Sequence, residues 1–261
     1  MADSTETASE APPLPKGKRP LRRSARRAAR ARRPPGPVGK VVRPILRFVA
    51  SVLITSGVLM LIDAGLTLAW QEPISAFIAA QEQSTLNHEL KTDKPIFVQH
   101  ERALASIHDQ RVRLRRLAVF ARHRARKGHA IGTIRLPTLG RHYAVVQGTD
   151  LDSLRKGPGH YPGTSFPGEG GTIAIAGHRT TYLAPFRTIN QMKPGQPIVL
   201  DMPYGRFTYS VERTKVVSPD ALWITKPVRG EERLVLSACH PLYSASHRIV
   251  VFARLVSAQE Q

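Results

Sequence analysis

Residues 197–217 read PIVLDMPYGRFTYSVERTKVV. Two runs in which apolar or aromatic side chains alternate with polar ones meet at Pro203-Tyr204-Gly205, so the segment reads as two strands and a tight turn. Working outward, the same pattern recurs on both sides. Short runs rich in β-branched and aromatic residues, each bounded by Gly, Pro or Asp, fall at 131–136, 142–147, 160–161, 172–176, 233–237 and 249–256. Short helical turns fit 151–155 and 183–189. Many short strands with little helix predict an all-β, closed barrel over residues 130–261, and roughly 125 residues suffice for an independent core.

Upstream of residue 130 the composition changes. The 261 residues carry 39 Lys and Arg against 19 Asp and Glu, a formal charge of +20. Such a balance suggests an anionic partner. The excess is concentrated before residue 48 and between Arg111 and Lys127, outside the predicted barrel. Residues 1–47, with low-complexity runs of Arg, Ala and Pro, cannot bury a core and predict a disordered basic tail. Residues 48–70 (FVASVLITSGVLMLIDAGLTLAW) contain no Lys or Arg and are long enough, at about 1.5 Å per residue, to cross a hydrocarbon core of roughly 30 Å. Asp63 lies past the midpoint, where its carboxylate reaches interfacial water most easily. The apolar run exceeds that of a secretory signal and no small-x-small site follows it, which predicts an uncleaved signal anchor. Arg43, Arg47 and the basic tail place the N-terminus inside and everything after residue 70 outside the cell membrane.

Residues 71–129 predict a helical basic stalk broken at Pro73 and Pro95. Leu104, Ile107, Leu114, Leu117 and Ala121 form an amphipathic pattern there. The stalk is expected either to be a solvated spacer or to rest its arginines on anionic lipid or wall polymer. No nucleic-acid-binding motif accompanies the charge, so nucleic acid is not expected as a partner.

Cys239 is the only cysteine and cannot form an internal disulfide. The apolar run before it, Leu234-Val235-Leu236-Ser237-Ala238, reads as a buried strand that delivers the thiol to a loop. A thiol is mostly protonated at neutral pH, so a nucleophilic role needs a base. His178 is the best-placed candidate. It too ends an apolar run, Thr172–Ala176, with Gly177 allowing an unusual backbone turn. His240 adjoins the thiol but points to the opposite face of an extended chain, and His142, His160 and His247 remain outsiders. The oxyanion formed on thiolate attack needs a fixed donor. Arg248 supplies one if the run it opens pairs with that of Cys239, and Arg179 is the rival.

Gly170-Gly171-Thr172-Ile173-Ala174-Ile175-Ala176-Gly177-His178-Arg179, Leu236-Ser237-Ala238-Cys239-His240-Pro241 and Ser246-His247-Arg248-Ile249-Val250-Val251 resemble, in order, the histidine, cysteine and arginine motifs of sortases. Gly157-Pro158-Gly159-His160-Tyr161, followed by Pro167-Gly168, is similar to what precedes the histidine in that family. Cys-His-Pro and the short interval to Arg248 look most like class E of actinobacteria. The resemblance implies an eight-stranded sortase-like barrel, with Cys239 as nucleophile, His178 as acid/base and Arg248 as oxyanion or substrate donor. It implies cleavage of surface proteins' Leu-Ala/Pro-x-Thr-Gly sorting signals between Thr and Gly through a thioester, with transfer to a peptidoglycan-precursor amine. One departure is that Val235 and Ala238 stand where the family usually has threonines, and Ala238 removes a hydroxyl beside the nucleophile, which bears on the motif read. A hydrolytic cysteine peptidase and a catalytically silent wall-binding module are the alternatives. No cofactor is expected, and no carboxylate cluster suits a metal such as calcium.

Overall fold

The computed structural model describes residues 37–69, 73–228 and 230–260. The chain divides into two compact units, residues 1–58 and 59–261. Residues 1–36 of the expected tail lie outside the described residues, while 37–47 are helical: α1 runs Pro37–Ala69, starting eleven residues before the expected anchor. Its apolar stretch is Val42–Leu66, and side chains such as Phe48, Leu53 and Leu61 stand exposed along it. A helix apolar all round is compatible with a single-pass membrane anchor.

The eight strands are β1 (Ala130–Leu136), β2 (Arg141–Gln147), β3 (Gly159–His160), β4 (Gly171–Ala176), β5 (Pro197–Met202), β6 (Gly205–Val217), β7 (Glu232–His240) and β8 (His247–Gln259). They close into a barrel in the order β1-β2-β3-β4-β7-β8-β6-β5. Closure leaves no free sheet edge. β2–β3 and β4–β7 are parallel and the other neighbours antiparallel. The 197–217 hairpin forms as read, Met202 opposite Gly205.

Alternation sorts each strand's residues between two cores. Leu234, Leu236 and Ala238 of β7 and Ile249, Val251 and Ala253 of β8 enter the main core. Val235, Val250 and Phe252 face the other way and form a smaller cluster with Ala174 and Ile224. Ile224 belongs to a 3-10 turn, Leu222–Thr225, that lies over this outer face.

The expected stalk is part of this barrel unit. α2 (Pro73–Ala103) continues through Pro95, although proline in a helix interior costs about 3 kcal/mol. Pro95 is exposed, while Phe97 is buried with ring centroids 5.6 Å from Phe120 and 6.0 Å from Tyr204. Packing of Phe97 holds the segment in line past the proline. Ala79, Gln83 and Leu86 are also buried, and the Gln83 amide accepts from Ala144 N (2.7 Å) and donates to Ala144 O (3.1 Å) and Lys156 O (2.8 Å). The helix breaks instead at 104–109. Asp109 then caps α3 (Gln110–Arg124), accepting from the Arg111 and Val112 amides. Leu114, Leu117, Ala118 and Ala121 of α3 join the main core, so the expectation of a solvated spacer is corrected for this face. The helix α4 (Leu151–Lys156) matches the turn read at 151–155.

Candidate active site

β7 lies between β4 and β8, and this order assembles the candidate residues. In the antiparallel β7–β8 ladder, Val235 is opposite Phe252, Ser237 opposite Val250 and Cys239 opposite Arg248. Directly opposed residues share a face. Cys239 and Arg248 therefore both lie on the outer face, and Cys239, half-buried, lines a pocket with Arg179, Thr180, Thr181, Pro241, Tyr243 and Ala245.

On the other flank β4 runs parallel to β7 with Ala176 opposite Ser237, and the Gly177 N–H donates to Ser237 O at 3.0 Å. His178 is thus two residues past the Ala176 level, as Cys239 is past Ser237. Gly177 is needed for space and not, as expected, for an unusual turn. A Cβ there would stand 2.5 Å from the buried ring of Phe186, and its φ lies outside the left-handed region. The Phe186 amide closes the following loop by donating to His178 O at 3.0 Å.

That loop corrects the helical turn expected at 183–189. Tyr182, Leu183 and Ala184 adopt φ of 50°, 64° and 41°, three successive left-handed residues, and only a short 3-10 turn follows at Ile189–Gln191. Each such residue costs about 1–2 kcal/mol. Burial of Ala184 and Phe186 and the Ala184 N–H to Thr181 O bond (2.8 Å) hold the conformation. Its product is a Tyr182 ring 5.2 Å from that of His178. Burial lowers the His178 pKa, and its Nε2 is buried with no hydrogen-bond partner among the described residues. The neighbouring strands bring histidine and thiol to one end of the barrel without a hydrogen bond between them.

The two arginines have different employment. Arg179 is buried and commits all five N–H groups: Nε and Nη2 to Arg187 O (3.2 and 3.0 Å), Nη2 to Asn190 Oδ1 (2.9 Å), and Nη1 to Cys239 O and His240 Nδ1 (both 3.2 Å). No donor remains for an oxyanion, which removes the rival. Arg248 uses only Nη1, on Ala245 O and His247 O at 3.0 Å each. Its Nε and Nη2 have no partner among the described residues.

His240, His247 and His160 have local partners. His240 receives Arg179, and His247 lies 3.1 Å from its neighbour Ser246 Oγ. His160 is buried between Gln147 Oε1, Thr164 Oγ1 and Ser165 O, and desolvation pushes its pKa down to about 4. Ala238 faces the main core, so its missing hydroxyl is not missing from the thiol's side of the sheet. On that side Ser237 Oγ pairs with Tyr161 Oη at 2.9 Å. Sequence reading missed the local parts of Arg179, Asn190, Tyr182 and Tyr161; of these, Arg179 and Tyr161 stood in quoted motifs. Among the described residues no group of three His, Cys, Asp or Glu side chains is placed to hold a metal.

The closed barrel sets a thiol, a histidine and an arginine with free donors near three adjoining strand ends. Residues 134–256 match the sortase domain, which identifies the barrel as a sortase domain. It is 34% identical over 133 residues to Sortase D of Bacillus subtilis, covering 50% of this chain and 66% of that protein. It is 28% identical over 255 residues to Sortase SrtE1 of Streptomyces coelicolor, covering 92% of this chain and 64% of that one. The chain thus spans just under two thirds of the length of these two relatives. In fold it resembles a Clostridium perfringens Sortase D5 transpeptidase, with a TM-score of 0.55 at 22% identity over 68% of this chain and 99% of that one.

Proposed function

We propose that this chain is a membrane-anchored, class E-like cysteine transpeptidase acting on Leu-Ala-x-Thr-Gly or Leu-Pro-x-Thr-Gly sorting signals. The observation that carries this is Cys239 directly opposite Arg248, whose Nε and Nη2 are free, with His178 ending the strand on the other side. The likeness to Sortase SrtE1 supports the class.

Cys239 Sγ gives its proton to neutral His178 and attacks the threonine carbonyl carbon, forming the C–S bond. Arg248 donates to the resulting oxyanion. The C–N bond to glycine breaks as His178 returns the proton to the leaving amine, and a thioester remains. An incoming peptidoglycan-precursor amine then attacks the thioester and loses its proton to His178; the C–S bond breaks and the thiol is restored. In this reading α1 is a single-pass anchor with its N-terminus inside and the barrel outside. Surface proteins bearing the signal are the donors, and the basic segment before the barrel meets anionic lipid or wall polymer.

The test incubates the full chain in detergent with a Leu-Ala-x-Thr-Gly peptide, its Leu-Pro-x-Thr-Gly counterpart and a small amine, alongside Cys239→Ala, read by mass spectrometry. Amine attached at threonine, absent in the variant, is the expected product. Hydrolysed peptide alone would replace the transferase with a peptidase. No cleavage of either peptide would overturn the proposed substrate.

A further inference from the structure

We propose that the outward face of α3 is a docking surface for an anionic lipid bilayer. α3 turns Leu114, Leu117, Ala118 and Ala121 into the barrel. At about 100° per residue, Val112 and Val119 come to the middle of the opposite face. Arg111, Arg115 and Arg122 flank them on one side, and Arg116 and His123 on the other. Val112 is exposed, and with Val119, Leu104, Phe120 and His100 it lines a shallow groove that also involves Arg115 and Arg116. The His100 and Phe120 rings stack at 4.0 Å, forming one wall.

The charges on this helix are used unequally. Arg113 is held by Glu260 at 2.6 Å and Arg122 by Glu169 at 3.1 Å. Arg111, Arg115 and Arg116 have no carboxylate partner among the described residues. An apolar strip between arginines whose aliphatic stems can lie along it while their heads reach outward is the pattern of a helix resting in a headgroup layer. A soluble anionic polymer would use the arginines but leave the valine strip and groove unoccupied. The lipid surface uses both, and the compatibility of α1 with a membrane anchor makes such a surface available to the same chain. The proposal deepens the lipid contact of the functional reading, shares its anchor, and is independent of the chemistry at Cys239.

The test reconstitutes the full chain into vesicles of phosphatidylcholine alone or with phosphatidylglycerol and follows modification of each arginine by a dicarbonyl reagent, read by mass spectrometry. Flotation with phosphatidylcholine vesicles reports α1 separately, so failure of the anchor and failure of the face are distinguished. Arg111, Arg115 and Arg116 are expected to react roughly fivefold more slowly, or slower still, on the anionic vesicles. Arg155 and Arg254, exposed elsewhere on the barrel unit, should react equally on both, and high salt should abolish the difference. Val112→Asp, an exposed substitution that gives Arg115 and Arg116 an internal partner, should remove the protection at an unchanged melting temperature. Equal reactivity on both vesicles, or full protection in Val112→Asp, would overturn the proposal. Protection by soluble polyphosphate but not by phosphatidylglycerol would reassign the face to a wall polymer.

Discussion

The Nη1 group of Arg179 donates at 3.2 Å to the main-chain carbonyl of Cys239. The residue after the candidate base thereby fixes the backbone of the candidate nucleophile, tying the ends of β4 and β7 beyond their last ladder pair. Arg179→Met keeps the stem but leaves the carbonyls of Cys239 and Arg187 without this donor. It should lower the unfolding free energy by roughly 2–3 kcal/mol in urea titration. Arg179→Lys should recover only part, because three donors on a point charge cannot span acceptors set around a planar fork. An unchanged urea midpoint in the Met variant would show that the clamp contributes nothing.

Arg248 is predicted to separate activity from stability. Its guanidinium is fastened only to the main-chain carbonyls of Ala245 and His247, so Arg248→Ala should shift the melting temperature little. Turnover should fall on the order of 10² to 10³ fold with the loss of an oxyanion donor. Near-normal turnover would exclude Arg248 from the reaction.

His178 is predicted to be neutral at neutral pH. Desolvation holds its pKa down, so NMR titration of its ring in the Cys239→Ala chain should give a midpoint below the ordinary imidazole value of about 6.5. Since only neutral imidazole accepts the thiol proton, raising the pH through that midpoint should increase the fraction competent for acylation. His178→Ala should be nearly inactive, and unchanged thioester formation would refute the pairing.

His160 is predicted to make the barrel acid-sensitive. Its folded pKa is pushed down to about 4 while the unfolded value is about 6.5, so the unfolded chain binds the extra proton between these limits. Stability from this group is complete above pH 6.5 and falls as pH drops toward 4, by about 3 kcal/mol. Denaturant titrations across that window should show a steeper loss for the parent than for His160→Gln. Parallel profiles would sink the assignment.

All eight strands were legible, because alternation along 197–217, 233–237 and 249–256 reports which face of a strand is buried; that Cys239 stands opposite Arg248 came only with the β7–β8 pairing. The docking of α2 and α3 was not. α2 buries its stripe through a glutamine that satisfies strand backbone at Ala144, and Phe97 overrides Pro95; neither effect has a local signature. Leu183 and Ala184 read as a helical turn because composition does not encode a left-handed turn held by burial of Ala184 and Phe186. Arg179 read as a free donor because its acceptors come from residues 8, 11, 60 and 61 positions away.

β7 takes its neighbour β4 from some sixty residues upstream and β8 from just downstream, so His178 comes level with Cys239 only after that distant parallel pairing has formed. Contacts of such long span are expensive in chain entropy and tend to form late. On the proposed mechanism the competence of Cys239 is therefore a readout of completed barrel closure: a chain not yet folded carries that thiol far from His178, and the last stage of assembly also switches the chemistry on.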